Sequence, residues 1–471
     1  MVYGRRYVVA VVGLLTASGV FAGQGLYLAV NSPIPGVKLI KTDDNCVDHT
    51  GNFKDGLNNG EFYLEADNDW SCLFEDSTVD FKLEDANGNT IAKYELTISA
   101  NGSEIENTKI APGFNQSNIL YPHSGLFGDQ DHVSVSVYEP YTDWMSTLNG
   151  GLRLNDLFWP GSHDSGTYDF RSPYTLTPDN DSSVIKDAVD TGLGKVVAGW
   201  ADAQRWRNNN DEDDVKQTVT TQLNSGIRYL DLRICQLPDE PLSLDNIYIC
   251  HSIAAVKFSD VIDEVKAFVR EHKKEIVILD INHVYADDSK DDQKLLGIAL
   301  GYISQQLGDQ LAEKYNDQNA LALTPSSTLN DFWQQQKSVV VAIPQDMQTA
   351  STQWAWNSVN SSNFNDCDSL TDVCSIWNNE NDKGDLLDDI KQNFATLPTD
   401  HRYLFVSQNQ MTPTSSDITD AIADSNFSHG LLSMTGSYKD DITNALYDIQ
   451  KGHRGIVNIE DYSNQGCLIK I

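Results

Sequence analysis

Positive charge is scarce in this chain. Lys and Arg number 33 against 68 Asp and Glu, a formal net charge of −35. Nucleic-acid phosphates would be repelled by such a chain, so that class of partner is excluded. Docking on anionic membranes by charge alone is excluded on the same ground. Zinc-type spacing is missing as well. None of the seven cysteines stands in a Cys-x-x-Cys pair, so no structural zinc site is expected. The acidic runs Asp211-Glu212-Asp213-Asp214 and Asp287-Asp288 do not match an EF-hand loop and read as solvated loops. Beyond Val30 no apolar run is long enough to span a bilayer.

The amino terminus reads as an export signal over residues 1–22. Arg5-Arg6 supply a positive start, Tyr7 to Ala22 is apolar and small, and Val20-Phe21-Ala22 ends in a small residue suited to cleavage. An uncleaved anchor is the alternative, since Leu26 to Val30 prolongs the apolar character. Either way the expected destination is oxidising, and secretion is the expected localisation. The cysteines fit this. Their spacing suggests Cys46 with Cys72, Cys235 with Cys250, and Cys367 with Cys374, leaving Cys467 over.

At 471 residues the chain is long enough for two or three domains. Residues 23–140 carry short alternating strands: Glu61-Phe-Tyr-Leu, Val79-Asp-Phe-Lys-Leu, Tyr94-Glu-Leu-Thr-Ile and Val133 to Tyr138. Asp85-Ala-Asn-Gly88 marks a turn. This pattern predicts a small all-β sandwich, an accessory domain by default. From residue 141 to 471 strands alternate with helices. Strands are expected at Ile227–Ile234, Ile247–Cys250, Ile276–Ile281, Val339–Ile343, Tyr403–Val406 and Gly455–Ile459. Helices are expected after Phe258, with Ser259 as cap, and over 292–306, 386–394 and 440–450. Such repetition predicts an α/β fold, a (β/α) TIM-type barrel with some irregularity. Residues 345–385, rich in Asn, Ser, Trp and Asp, read as a loop over the barrel mouth or an irregular excursion. Trp354 and Trp356 within it could meet a membrane interface, but burial is the favoured reading.

The chemistry gathers at a few positions. Leu154 to Trp159 reads as a buried strand stopped by Pro160-Gly161, with His163 and Asp164 directly after it. Downstream, Asp231 and Arg233 lie two apart on a strand and share a face. His251 follows Ile247–Cys250, and a Cys235–Cys250 disulfide would pin the two strands together. Alone, each has a bland reading: a turn histidine, an internal ion pair. Together, two imidazoles and a guanidinium suit phosphodiester cleavage. One imidazole takes a proton, the other gives one, and the guanidinium neutralises the phosphate.

Trp144-Met-Ser, Pro160-Gly-Ser-His-Asp-Ser165, Gln222-Leu, Gly226-Ile-Arg-Tyr-Leu-Asp-Leu-Arg233, His251-Ser, Glu275 to Tyr285 and Asn458-Ile-Glu-Asp-Tyr462 occur in that order. In order and spacing they resemble the phosphatidylinositol-specific phospholipase C X-domain family, over roughly 141–471. The Ile278–Tyr285 run is most like the X domain-containing branch, and Arg233 resembles the bacterial enzymes. The resemblance implies His163 as general base, His251 as general acid and Asp164 as the carboxylate paired with that acid. It implies Arg233 in the place that calcium holds in calcium-dependent relatives, with Asp231 as the acidic residue before it. Asp461 is implied as the carboxylate orienting the base. Asn282 stands where calcium-dependent members carry glutamate, so no cofactor is expected and calcium is disfavoured. Asn282, Tyr285 and Gln408 are candidate substrate contacts. The implied partner is a phospholipid at a membrane surface, cleaved by a monomer to diacylglycerol and a cyclic inositol phosphate. Two alternatives stay open: another phosphodiesterase on the same barrel, acting on glycerophosphodiesters or sphingolipids, and a catalytically lapsed lipid-binding protein.

Overall fold

The computed structural model describes residues 25–31, 38–49, 60–66, 77–85, 87–98, 104–111, 115–121, 131–138, 142–201, 218–314, 322–397, 402–424 and 454–459, with isolated positions between 442 and 449. The proposed leader, Cys72, the 211–214 acidic run, Asp461, Cys467 and most of the expected 440–450 helix lie outside the described residues. The chain divides into two units, one formed by residues 1–140 with 206–215 and the other by the remainder.

The first unit contains β1 (Gly25–Asn31), β2 (Lys38–Asn45), β3 (Val47–His49), β4 (Gly60–Ala66), β5 (Ser77–Glu84), β6 (Thr90–Ile98), β7 (Glu104–Ile110), β8 (Asn115–Tyr121) and β9 (Asp131–Tyr138). They form two sheets, ordered β3-β4-β1-β9-β8 and β2-β5-β6-β7. Pairing is antiparallel except for β1 with β9. Period-two alternation along β5 buries Val79, Phe81 and Leu83. They meet Leu28 and Val135 of the other sheet in one core, which makes the unit a sandwich. The β5–β6 turn follows its sequence. The Asp85 carboxylate accepts the N–H of Asn87 and of Asn89, and Gly88 takes φ +84°.

The second unit is a closed barrel. Its strands are β10 (Phe158–Ser162), β11 (Tyr229–Gln236), β12 (Ile247–His251), β13 (Ile253–Lys257), β14 (Val277–Tyr285), β15 (Val339–Pro344), β16 (Trp356–Ser361), β17 (Val373–Trp377), β18 (Leu404–Gln408) and β19 (Gly455–Ile459). Eight of them run parallel in the circular order β10-β19-β18-β17-β16-β15-β14-β11, closing through β10–β11. The antiparallel pair β12–β13 extends the free part of β11. Strand residues alternate between two cores. Leu230, Leu232, Leu279, Val341 and Ile343 face outward, onto the helices Phe258–Glu271 and Asp292–Leu307. Tyr229, Ile278, Val340, Ala342, Trp356, Val373, Val406 and Ile456 fill the lumen.

Three expectations need correction. Residues 345–385 are neither a lid nor an excursion, because they supply barrel strands β16 and β17, tied by the Cys367–Cys374 disulfide. Their lumen-facing residues Ser358 and Ser375 are polar and buried, which hid the strand pattern. Trp356 is fully buried, with its indole N–H donating to the Ala312 carbonyl at 3.0 Å, and Trp354 is half-buried against the outer core. Pro160 and Gly161 do not stop the strand at Trp159 but lie within β10, preceded by a 3-10 turn at Leu154–Asp156. Gly161 is required there, since a Cβ would come within 2.8 Å of the Tyr229 ring on the neighbouring strand. Ser259 does not cap its helix; Lys257 occupies the cap position without a side-chain bond.

The amino-terminal end of the barrel is fastened by one buried guanidinium. Arg228 donates to Glu275 through Nε at 2.9 Å and Nη2 at 2.7 Å, and to the Leu223, Ile227 and Thr142 carbonyls. Glu275 in turn accepts the N–H of Met145 and of Ser146, and the Trp144 indole donates to the Gly226 carbonyl. Four of the quoted sequence motifs therefore meet in one polar network far along the strands from the mouth. Conserving shape at this end of a barrel serves stability, whereas chemistry belongs to the other end.

Candidate active site

The lumen changes character along the strands. Above the apolar layer, the Tyr229 hydroxyl and the Ser358 hydroxyl donate to Asp280 at 2.6 and 3.0 Å. Burial raises the Asp280 carboxyl to about 7. Asp231 pairs level with Asp280, and above that layer, toward the carboxyl ends of β10, β11, β12 and β14, stand His163, Asp164, Arg233, His251 and Asn282.

Local structure fixes each of them. His163 follows β10 directly, and Asp164 then takes φ +44°, a left-handed conformation uncommon outside glycine. The turn is held because the Thr167 N–H and hydroxyl both donate to the Asp164 carbonyl. Ser165 exchanges bonds with Asp231: its N–H donates to the Asp231 carbonyl, and its hydroxyl accepts the Asp231 N–H. Gln222 locks the same turn, donating to the Ser165 carbonyl and accepting from Ser162. His251 ends β12, and Ser252 after it takes φ +63°. Both histidines are thus followed, immediately or directly, by strained left-handed residues, a feature that clusters at functional sites. The Cys235–Cys250 disulfide, with Cα atoms 6.0 Å apart, joins β11 to β12 next to Arg233 and His251.

Asp164 is the hub. It is 2% exposed, and its Oδ2 lies 3.5 Å from His163 Nδ1 and 3.8 Å from His251 Nε2. Its Oδ1 lies 3.9 Å from Arg233. Burial works to raise the Asp164 carboxyl, but His163, Arg233 and His251 together hold it well below the usual carboxylate range. It therefore stays ionised. The resemblance gave Asp164 to His251 alone; the geometry places it against both imidazoles. The second face of His163, Nε2, lies 3.8 Å from Asp231 Oδ2. Asp461, the carboxylate expected to orient that histidine, is outside the described residues. Burial and the Arg233 charge lower His251, with Asp164 opposing them.

Asp179 and His283 were not singled out for this site from the sequence. Asp179 lies 3.7 Å from Arg233 and accepts the Ser252 N–H at 2.8 Å, so it links the guanidinium to the His251 turn. Its only signal was a Thr177-Pro-Asp-Asn turn, which has no spacing relation to Arg233. Asp179 also clusters with Cys235 and Cys250. Those two sulfurs are bonded to each other, so they are not metal ligands.

His283 is brought in by a β-bulge. Leu232 pairs with Ile281 but Arg233 pairs with His283, so Asn282 is the extra residue. The bulge turns Asn282 toward Asp231, to which its amide donates, and its Oδ1 meets His283 Nδ1 at 2.7 Å. It also carries His283 and Tyr285 onto the Arg233 face, where their rings stack at 6.0 Å. Burial and Arg233 push His283 down to about 3, so it is neutral near pH 7. Tyr285 is raised by burial, with Arg233 opposing. Gln408 lies on β18, on the far wall of the mouth.

Residues 208–337 match the family model for the phosphatidylinositol-specific phospholipase C X domain. That span contains Arg233 and His251 and begins after His163. The chain is 31% identical to PI-PLC X domain-containing protein 2 of Mus musculus over 204 residues, covering 42% of this chain and 52% of that protein. It is 26% identical to a variant-surface-glycoprotein phospholipase C of Trypanosoma cruzi over 176 residues, 35% of this chain and 42% of that one. A phosphatidylinositol-specific phospholipase C structure from Staphylococcus aureus aligns with a TM-score of 0.47 at 16% identity, over 70% of this chain and 96% of that one. The chain spans about half the length of the curated relatives it matches. Residues 208–337 thus match the X domain of the phosphatidylinositol-specific phospholipase C family, and the described strands β11 and β14 within that span belong to an eight-stranded parallel barrel.

Proposed function

We propose that the chain is an exported, metal-independent phosphodiesterase that cleaves phosphatidylinositol-type lipids at a membrane surface. The observation that carries this reading is Asp164 standing 3.5 Å from His163 and 3.8 Å from His251, with Arg233 on its other oxygen at 3.9 Å. His163 takes the proton from the ring hydroxyl next to the phosphate. That oxygen attacks phosphorus, the bond from phosphorus to the diacylglycerol oxygen breaks, and His251 protonates the departing oxygen. Arg233 balances the charge that builds on the phosphate oxygens. Asp164 stabilises whichever imidazole is charged. The products are diacylglycerol and a cyclic phosphate. Export is supported by the apolar amino terminus and by the Cys235–Cys250 and Cys367–Cys374 disulfides.

The metal-free reading rests on Arg233, whose guanidinium is within 4 Å of both Asp164 and Asp179. Those carboxylates already face one cation, and a calcium ion placed among them would be repelled by it. Turnover is expected to survive a chelator in excess of trace calcium. Loss of turnover with the fold intact by circular dichroism would contradict this.

The pH profile follows from the site. His251 must carry a proton to act, and its pKa lies below the ordinary 6.5 because of burial and Arg233. The rate parameter kcat/KM reports the free enzyme, so it should be bell-shaped and fall as pH rises past a point below 6.5. A bound phosphate adds negative charge, so the descending limb of kcat should sit higher. A flat profile from weakly acidic to weakly basic pH would count against two titrating imidazoles.

A further inference from the structure

Two carboxylates stand side by side on the floor of the site. Asp231 and Asp280 pair in register on the parallel strands β11 and β14, about 4.8 Å apart, so their side chains leave the sheet on one face. Asp231 is 4% exposed and Asp280 is fully buried. Two buried charges of one sign at that spacing are costly, and one carboxyl of such a pair keeps its proton. Their surroundings differ. Asp231 accepts from the Asn282 amide, lies 3.8 Å from His163 Nε2, and shares a face with Arg233 two residues on. Asp280 meets neutral hydroxyls instead. Tyr229 and Ser358 both donate to its Oδ2, and its Oδ1 is buried with no hydrogen-bond partner among the described residues. On its other side β15 presents Ala342 in register. The groups that titrate against Asp280 are therefore Tyr229 and Asp231, both on β11. Burial, Asp280 and Asp231 all push the Tyr229 phenol up, so it keeps its proton and donates. Burial, aided by Asp231 and opposed by the two hydroxyls, raises Asp280 to about 7. Tyr229 also reaches the strand that carries the base. It pairs with Gly161 of β10, and its ring lies 2.8 Å from where a Gly161 Cβ would stand, two residues before His163.

We infer that Asp280 is a positioning residue that works as a neutral acid: it keeps its proton, leaves Asp231 as the one charge beneath His163, and holds the Tyr229 ring against β10. This rests on the proposed function, in which His163 is the base. Asp231 stabilises the imidazolium that forms when His163 takes its proton, and Asp280 touches neither the imidazole nor the substrate.

The test compares wild type, Asp231→Asn and Asp280→Asn, two isosteric changes at paired positions. On phosphatidylinositol vesicles Asp231→Asn should lower kcat about 10- to 100-fold and move the ascending limb of kcat/KM to lower pH, because a charge that favours the imidazolium is gone. Asp280→Asn exchanges one neutral group for another, so it should lower kcat by less than about threefold and leave that limb in place. Equal displacement of the limb by both variants would overturn the inference while leaving the proposed function standing. Stability reads the same proton without catalysis. Asp280 loses it at the ordinary 3.8 when unfolded and at about 7 when folded. Its contribution is whole below the lower value and is lost as pH rises to the upper one. The ratio of folding constants, wild type over Asp280→Asn, should therefore fall about tenfold per pH unit across that window and flatten above it. A ratio that does not change with pH overturns the inference. If Asp280→Asn fails to fold, Tyr229→Phe removes a donor that favours the anion. The infrared band of the protonated Asp280 carboxyl should then persist to higher pH than in wild type, and an unmoved band is the contrary result. If no inositol lipid is cleaved, the proposed function fails, and the melts still decide whether Asp280 holds its proton.

Discussion

His163→Ala and His251→Ala are each expected to lower kcat on phosphatidylinositol by about 10²- to 10⁴-fold, the usual worth of a positioned acid or base. KM should move little, because the phosphate is held by Arg233 and the headgroup by other residues. The two losses should also fail to add. Both imidazoles lean on the same Asp164 oxygen, and groups that act as a unit give non-additive losses. The double variant should therefore be little worse than the weaker single one. A substrate with a better leaving group separates the roles. It should restore much of the rate of His251→Ala, which lacks the acid, and little of that of His163→Ala, which lacks the base. Equal restoration of both would show that the roles are wrongly divided.

Arg228→Met should unfold the barrel far more readily than any change at the mouth, at a cost of about 3–5 kcal/mol. Arg228 and Glu275 are both fully buried. Burial outweighs pairing for each partner: it lowers Arg228 despite Glu275, and raises Glu275 despite Arg228. The pair is thus a poor bargain against an apolar core but a costly one to break. Removing the guanidinium strands the carboxylate and the Leu223, Ile227 and Thr142 carbonyls together. Glu275→Gln should cost less, since its one amide oxygen can still accept from Arg228 and Met145, with only the Ser146 N–H left facing the amide nitrogen. Denaturant melts of the three proteins check the order, and the folded fraction of each should keep its activity per molecule. A near-neutral Arg228→Met would show that the network does not fasten the barrel.

What could be read in advance divides by which face of a strand carried the signal. Val277–Tyr285 and Val339–Pro344 are apolar on both faces low in the barrel, and their strands were legible. β16 and β17 were not, because Ser358 and Ser375 put polar groups into the lumen where a strand pattern expects apolar ones. Those polar residues belong to the layers beneath and opposite the catalytic groups. His163, Arg233 and His251 were legible because each stands at or just beyond a recognisable strand end. Asp179 sits in an irregular segment and reaches Arg233 only through the fold. The Asn282 bulge likewise left no mark in the residue pattern, although it decides that His283 and Tyr285, not Val284, share a face with Arg233.

Phosphorus NMR of phosphatidylinositol vesicles treated with the 471-residue protein tests the central claim most directly. The expected result is a cyclic inositol phosphate resonance that grows with wild type, persists in the presence of a chelator, and is absent with His163→Ala of unchanged fold. No phosphorus-containing product from wild type, or the same cyclic signal from His163→Ala, would contradict the account.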